Sequence, residues 1–222
     1  MTIDASPDLV ARIAANRDRI EARIVAAGGS VDGADRVVIV GVTKFHPPEL
    51  CAAAVAAGLV DLGESYAKEL VAKAAAVEGA RWHFIGQLQT NKVRVVADVV
   101  ALYQSVDRPS LVAELARRVP GARVLIEVEL AEAEGRGGCA PNDAPRLIES
   151  ARASGLDVAG VMGVAPQGSE QEVVLAFRRL RTICDDEQLE VCSMGMSADL
   201  ELAVSEGSNM VRVGSAIFGP RP

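Results

Sequence analysis

Lys44 is the residue whose position in this chain most strongly suggests covalent chemistry. The chain has four lysines, and Lys68, Lys73 and Lys92 fall on predicted helices, where a lysine usually belongs to a solvated basic face. Lys44 instead follows the apolar run RVVIVGVT at 36–43, which is typical of a strand covered on both faces. Partial desolvation lowers the pKa of a lysine and favours the neutral amine, which forms an imine with an aldehyde. An ion pair at the rim of a sheet is the alternative for such a lysine.

A second group of candidate residues, near the end of the sequence, fits phosphate binding. Gly214 and Ser215 follow the last predicted strand, and Ser193 and Ser197 belong to the segment that follows the strand before it. Glycine lets phosphate oxygens approach the backbone closely, the N–H groups at a helix start supply donors, and serine hydroxyls add neutral donors. Ordinary turn chemistry is the alternative, because glycine and serine are common in loops.

Arg212 lies within the last predicted strand, two residues before Gly214. An arginine inside a buried strand is unfavourable unless it meets a partner. It could face a bound ligand, or it could form an ion pair with a carboxylate such as Glu127 or Glu129; position alone does not separate the two.

His83 and Ser65 complete the set of candidates. His83 alternates with Trp82 and Phe84, so if those two face the helices, His83 faces the interior of the fold. A hydrogen-bonded core histidine is the more common outcome at such a position. Ser65 follows the second predicted strand, where a ligand site would be built.

An alternation of strands and helices would position these residues. An amphipathic helix at 7–27 comes first, with Ser6 as its N-cap and Gly28 after its end. Eight strands follow, each except the last succeeded by a helix. The strands are predicted at 36–43, 59–62, 81–85, 99–103, 122–130, 156–162, 189–193 and 209–213, and the helices between them at 48–57, 65–77, 90–97, 109–118, 141–154, 169–185 and 198–206.

This alternation predicts an α/β fold with a parallel sheet. Eight strand–helix units in one chain favour a closed TIM-type (β/α)8 barrel over an open doubly wound sheet. We therefore predict one domain over residues 1–222, with the N-terminal helix in the place of the missing eighth helix. In such a barrel the carboxyl ends of the strands meet at one mouth, so Lys44, Ser65 and the glycine-serine segments would come together there.

Composition excludes several classes of function. The net charge of −7 argues against nucleic-acid binding, which needs a basic face. The four cysteines form no CxxC pair and have no histidine at metal-ligand spacing, so we expect no zinc site and no disulfide framework. The N-terminus does not have the pattern of a signal peptide, and no apolar run is long enough to span a bilayer. These features predict a cytoplasmic protein that does not bind membranes.

Five motifs resemble the family of pyridoxal phosphate homeostasis proteins, which bind pyridoxal 5′-phosphate (PLP). They are GVTKFHP at 41–47, GESYAKE at 63–69, HFIGQLQTNK at 83–92, GVMGVAP at 160–166 and SMGMSADLELAVSEGSNMVRVGSAIFG at 193–219. The resemblance implies a barrel like that of alanine racemase, with PLP held on the lysine after strand one. It assigns cofactor binding to Lys44, Ser65, His83, Ser193, Ser197, Arg212, Gly214 and Ser215, with Arg212 near the pyridine nitrogen and the last two residues at the phosphate.

The chain departs from the family pattern at four positions on the predicted mouth. The family often has lysine where this chain has His46 and Arg136, and asparagine at or near Ser65 and Glu129. These differences bear on the affinity for PLP and on any surface that transfers it.

The resemblance implies a PLP carrier without a catalytic reaction, which supplies PLP to PLP-dependent apo-enzymes. The sequence leaves the oligomeric state open, and we expect a monomer. An amino-acid racemase is the first alternative, but racemases of this fold use a tyrosine from a second domain, and the two tyrosines here, Tyr66 and Tyr103, lie within the barrel. A sugar-phosphate isomerase without PLP is another, with Glu64 or Glu129 as its base.

Overall fold

The computed structural model describes residue 3, residues 5–131 and residues 137–220 of the chain. Within them, eight parallel strands follow one another around a closed barrel, and the last strand pairs with the first. The strands are β1 Val38–Val42, β2 Asp61–Glu64, β3 Arg81–Phe84, β4 Val100–Val106, β5 Arg123–Val128, β6 Asp157–Gly163, β7 Val191–Ser193 and β8 Met210–Val213. The predicted TIM-type barrel is confirmed.

Helices surround the barrel. They are α1 Pro7–Ala26, α2 Pro48–Ala56, α3 Ala67–Ala74, α4 Val93–Val96, α5 Pro109–Arg118, α6 Ala144–Ala153, α7 Glu170–Asp186, α8 Leu200–Ser205 and α9 Ser215–Phe218, with short 3-10 turns at Thr90–Lys92 and Pro141–Asp143. Because α9 is a single turn, it covers little of the barrel after β8. The N-terminal helix α1 packs against α2, α8 and α9 and so occupies the gap, as the sequence predicts.

The apolar side chains form two layers, one inside the barrel and one between the strands and the helices. Trp82 and Phe84 pack in the outer layer, and His83 between them points inward, as the period of two along a strand requires. The inner layer is small and aliphatic apart from two methionines. It consists of Val40, Leu102, Leu125, Ala159, Met162 and Met210.

Three further observations apply to the part of the chain that the structure describes. No helix there is long and apolar enough to cross a membrane. All four cysteines are free thiols. No group of three or more histidine, cysteine or carboxylate side chains is arranged to hold a metal ion.

Candidate functional site

A cavity of about 410 Å³ opens at the carboxyl ends of the strands, and we call it the mouth cavity. Its volume lies in the range of small-molecule binding sites. Lys44 and Ser65 line it together with Glu127, Glu129 and Met196. Lys44 and Ser65 therefore lie together at the mouth of the barrel, as the position of barrel sites at the carboxyl ends of the strands predicts, and their role in binding stays a prediction. A neighbouring cavity of about 790 Å³ shares Ser65 with it but does not include Lys44.

Lys44 is half-buried at the mouth, in the turn that follows β1. Thr43 before it is fully buried, and Phe45 after it has a φ of 67°. A left-handed backbone is uncommon for an aromatic residue, so contacts around this turn must hold it in place.

The segment after β8 lies directly beside the strand that carries Lys44. Gly41 pairs with Val213, and a Cβ placed on Gly214 would lie 3.5 Å from the backbone oxygen of Val42. Ser215 is exposed and begins α9. The first N–H groups of a helix have no partner within the helix, so they are available to an anion. The predicted phosphate-binding segment therefore lies beside the end of β1, two residues before Lys44.

The segment after β7 forms the adjoining part of the mouth. Gly195 has a φ of 94°, a conformation that favours glycine, and Met196 follows it with 40% of its surface exposed. Ser197 is half-buried, and its carbonyl oxygen accepts a hydrogen bond of 2.9 Å from Arg23 on α1. The backbone of Ser197 is therefore anchored beside the cavity by the N-terminal helix.

Arg212 is buried beneath this mouth. Its guanidinium group donates to the carbonyl oxygen of Ser193 at 2.9 Å, to the hydroxyl of Ser193 at 2.7 Å and to the carbonyl oxygen of Gly163 at 2.8 Å. Among the described residues, neither Glu127 nor Glu129 forms an ion pair with it. Burial lowers the pKa of Arg212 to about 10, so the side chain stays charged at neutral pH.

His83 and Ser193 belong to a hydrogen-bonded chain inside the barrel. His83 Nε2 lies 3.0 Å from an Asp61 carboxylate oxygen, and Nδ1 lies 2.8 Å from the Gln104 amide nitrogen. The Gln104 carbonyl oxygen accepts from the Ser193 hydroxyl at 2.8 Å, and that hydroxyl accepts from Arg212. Neither His83 nor Ser193 lines the mouth cavity. The same is true of Ser197, Arg212, Gly214 and Ser215. Ser193 bonds to Arg212 directly, and His83 connects to it through Gln104 and Ser193. The cofactor contacts that the resemblance implies for these residues stay predictions.

The sequence-based interpretation of one lysine is wrong. Lys68 and Lys92 are exposed, as predicted, but Lys73 on α3 is only 3% exposed. It forms ion pairs with Glu64 at 2.6 Å and with Glu69 at 3.0 Å. Burial lowers the pKa of Lys73, but the hydrogen bond and the charge of Glu64 outweigh burial, so the pKa is raised. Lys73 is therefore held as an ammonium ion and is a poor nucleophile.

The four positions at which the chain departs from the family pattern do not all lie at the mouth cavity. Ser65 and Glu129 line the mouth cavity. His46 is buried, with its ring centroid 5.6 Å from that of Phe218. Arg136 lies outside the described residues. Glu64, the other base considered for an isomerase, is fully buried and points toward α3, so it does not face the mouth.

Glu127 is a site residue that the sequence identified only as a possible partner of Arg212. Burial and the nearby charge of Asp107 raise the pKa of Glu127 from 4.5 to about 7, against the opposing charge of Arg212. The alternation of side chains along β5 could have indicated that Glu127 faces inward, because it stands two residues after Leu125, which faces the barrel interior. A carboxyl group with a pKa raised to about 7 therefore lines the same cavity as Lys44.

The raised pKa of Glu127 predicts a loss of stability as the pH rises. Between about pH 4.5 and 7 the folded protein holds a proton on Glu127 that the unfolded chain releases, so the free energy of unfolding falls by about 1–3 kcal/mol over this range. Glu127→Gln cannot titrate and should remove this contribution. Urea unfolding of both proteins at pH 5.5 and pH 8 measures it, and an identical pH dependence in the two would contradict it.

Comparison with known proteins gives consistent results. The family described as "Alanine racemase, N-terminal domain" matches residues 15–222. A protein of Pseudomonas aeruginosa named pyridoxal phosphate homeostasis protein is 36% identical over 221 residues, covering 94% of this chain and 96% of that protein. The corresponding protein of Escherichia coli K12 is 31% identical, covering 96% and 97%.

Solved structures agree with the fold. A crystal structure described as that of an unknown protein from Bifidobacterium adolescentis has a TM-score of 0.85 and 30% identity, and the match covers 98% of both chains. PipY of Synechococcus elongatus, solved with PLP bound, has a TM-score of 0.74 and 29% identity, covering 90% of this chain and all of that one.

Proposed function

The chain belongs to the alanine racemase N-terminal domain family and, within it, to the pyridoxal phosphate homeostasis proteins, and on this premise we propose that it binds PLP on Lys44. The observation that carries the proposal is that Lys44 is the only one of the four lysines that lines the mouth cavity. Lys68 and Lys92 line the neighbouring cavity, and Lys73 is buried as an ion pair. PLP supplies an aldehyde for a covalent link and a phosphate for anchoring.

The residues of the site fit both parts of this cofactor. Lys44 would hold the aldehyde end of PLP through its side-chain nitrogen, as a carbon–nitrogen double bond whose formation releases the aldehyde oxygen as water. Gly214, Ser215 and Ser197 lie on the two segments beside Lys44 and offer backbone N–H groups and hydroxyls to the phosphate. No residue needs to be oxidised or reduced, and hydrolysis reverses the link.

Arg212 supports a binding role for the protein. Its charge lies below the mouth, fixed by Ser193 and Gly163, where it can donate to the pyridine nitrogen. A donor that keeps its own proton leaves that nitrogen unprotonated, which weakens the ability of the cofactor to stabilise a carbanion. Relatives of nearly the same length, named as homeostasis proteins, are consistent with this role.

We further propose that the protein acts in the cytoplasm as a monomer and releases PLP to PLP-dependent apo-enzymes. A partly exposed lysine at an open mouth is accessible to water, so the covalent link can be hydrolysed without a large change in the fold. Direct contact with the receiving enzyme would use the exposed residues around this mouth.

The absorbance spectrum of the purified protein with added PLP tests the proposal. We expect a visible band from the linked cofactor that disappears on borohydride reduction, and loss of PLP to an added apo-enzyme before reduction. A spectrum equal to that of free PLP in buffer would contradict PLP binding on a lysine.

An amino-acid racemase is the second candidate function, and Glu127 favours it. Racemisation needs a proton donor and acceptor on the two faces of the substrate carbon. Lys44 could serve one face, and the Glu127 carboxyl group, with its pKa near neutrality, could serve another. The PLP-loaded protein is incubated with L- and D-alanine while chirality is followed. Multiple turnovers that disappear in Glu127→Gln would favour the racemase. The absence of turnover in the unmodified protein would favour the carrier.

A further inference from the structure

A buried network of charged residues surrounds the turn that carries Lys44. Its centre is Lys73, whose ammonium group has three acceptors: Glu64 Oε1 at 2.6 Å, Glu69 Oε2 at 3.0 Å and the carbonyl oxygen of Thr43 at 2.8 Å. An ammonium group has three N–H donors, so this arrangement satisfies all of them. We call Lys73, Glu64 and Glu69 the clamp.

The clamp bonds to the residues on both sides of Lys44. Thr43 gives its carbonyl oxygen to Lys73, and its hydroxyl donates to Glu64 Oε1 at 2.7 Å. The backbone N–H of Phe45 donates to Glu69 Oε2 at 2.9 Å. The backbone of Lys44 is therefore fixed from its N-terminal and its C-terminal side by one connected set of charges.

The left-handed backbone of Phe45 explains why such a set is needed. A φ of 67° is unfavourable for an aromatic residue and persists only where surrounding contacts determine it. The Phe45 N–H is the group that this conformation presents to Glu69. The ring centroid of Phe45 also lies 5.3 Å from that of Tyr66, and the His46 N–H donates to the Thr43 carbonyl oxygen at 3.0 Å. The clamp therefore holds this turn together with these two contacts.

We propose that Lys73, acting through Glu64 and Glu69, is a positioning residue that aims the amine of Lys44 into the mouth cavity. The inference rests on the proposed function of Lys44, because the direction of the Lys44 side chain affects the rate at which its nitrogen attacks an aldehyde. A misplacement of about 1 Å at a reacting atom lowers a rate about a hundredfold. The clamp does not touch the mouth cavity, so it should not change how the phosphate is held.

The test compares two clamp variants with a control on the same helix. Lys73→Met keeps the length of the side chain and removes the charge, and Glu69→Gln weakens the bond to Phe45 at a side chain that is 31% exposed. Lys68→Met is the control, because Lys68 is exposed on α3 and, within the part of the chain that the structure describes, forms no ion pair with Glu64 or Glu69. Three quantities are measured: the rate of the visible absorbance change after mixing with PLP, the affinity for pyridoxine 5′-phosphate, which has no aldehyde, and hydrogen exchange at the Phe45 amide without ligand.

We expect Lys73→Met to slow covalent attachment about a hundredfold and Glu69→Gln about tenfold, with the affinity for pyridoxine 5′-phosphate changed less than about threefold. The Phe45 amide should exchange faster in both variants, and Lys68→Met should match the unmodified protein. If Lys73→Met does not fold, Glu69→Gln decides the question.

Attachment at the unmodified rate in a folded clamp variant would overturn the proposal while leaving PLP binding intact. If the unmodified protein does not attach PLP, the proposed function is wrong. The hydrogen exchange of Phe45 then still shows whether the clamp holds the turn, and unchanged exchange would overturn that part as well.

Discussion

Lys44→Ala should abolish the covalent attachment of PLP. None of the other lysines can replace Lys44, because Lys68 and Lys92 lie outside the mouth cavity and Lys73 is a buried ammonium ion. Borohydride reduction followed by mass spectrometry of the peptides should place the pyridoxyl group on Lys44 in the unmodified protein and on no lysine in the variant. The affinity for PLP should fall by about a hundredfold or more, equivalent to about 3 kcal/mol.

The affinity for PLP should not be lost completely in Lys44→Ala, because the proposed phosphate contacts remain. Lys44→Ala should therefore still bind PLP weakly, without the visible band of the linked cofactor. Lys68→Ala serves as the matched control and should keep both the band and the label on Lys44. A label found mainly on Lys68, Lys73 or Lys92 in the unmodified protein would contradict the assignment.

The barrel could be predicted because short strand-like segments alternate regularly with helical segments along the chain, and apolar runs such as β1 mark the clearest strands. The observed β1, Val38–Val42, lies within the predicted 36–43. The ends of elements were harder to place, since they depend on hydrogen bonds that no periodicity shows. Strand β7 begins at Val191 and not at 189, because the Leu189 N–H bonds back to the carbonyl oxygen of Cys184 and completes the end of α7. Strand β2 is shifted by two residues, from the predicted 59–62 to Asp61–Glu64, so Glu64 belongs to the strand and not to the segment after it.

The site was predictable only where position along a strand decides the outcome. Lys44, Ser65, Gly214 and Ser215 follow strands, so the barrel rule places them at the mouth. The clamp depends on how α3 packs, which the sequence does not show directly. The spacing of buried residues could still have indicated that Lys73 faces inward. It lies three residues after Leu70 and four before Val77, which follows the end of α3, and both are buried.

The inward-facing polar chain was less accessible to sequence reasoning. Gln104 connects His83 to Ser193, and it shares the parity of Leu102, which faces the barrel interior. In a strand buried on both faces, however, the sequence does not show which parity points inward. Only the closed barrel brings polar residues of β2, β3, β4, β7 and β8 into one hydrogen-bonded chain, which ends at Arg212.

Ser215→Glu should weaken the binding of PLP about a hundredfold while changing that of pyridoxal less than about threefold. Ser215 begins α9 beside β1, where we propose that the phosphate is held. A carboxylate there would lie within a few ångströms of the phosphate, and two like charges about 4 Å apart near a protein surface repel by about 4 kcal/mol. Pyridoxal carries no phosphate, so it should not experience this repulsion.

Ser215→Gln is the control that separates the effect of charge from the effect of side-chain size, because glutamine has nearly the same shape as glutamate but no charge. Both ligands are titrated into the unmodified protein and the two variants, and the affinities are read from the visible band. Charge repulsion predicts that the glutamine variant keeps most of its affinity for PLP and that only the glutamate variant distinguishes PLP from pyridoxal. Equal losses for the two ligands in Ser215→Glu would instead show that the phosphate is bound elsewhere at the mouth, for example at the segment after β7 that contains Ser197.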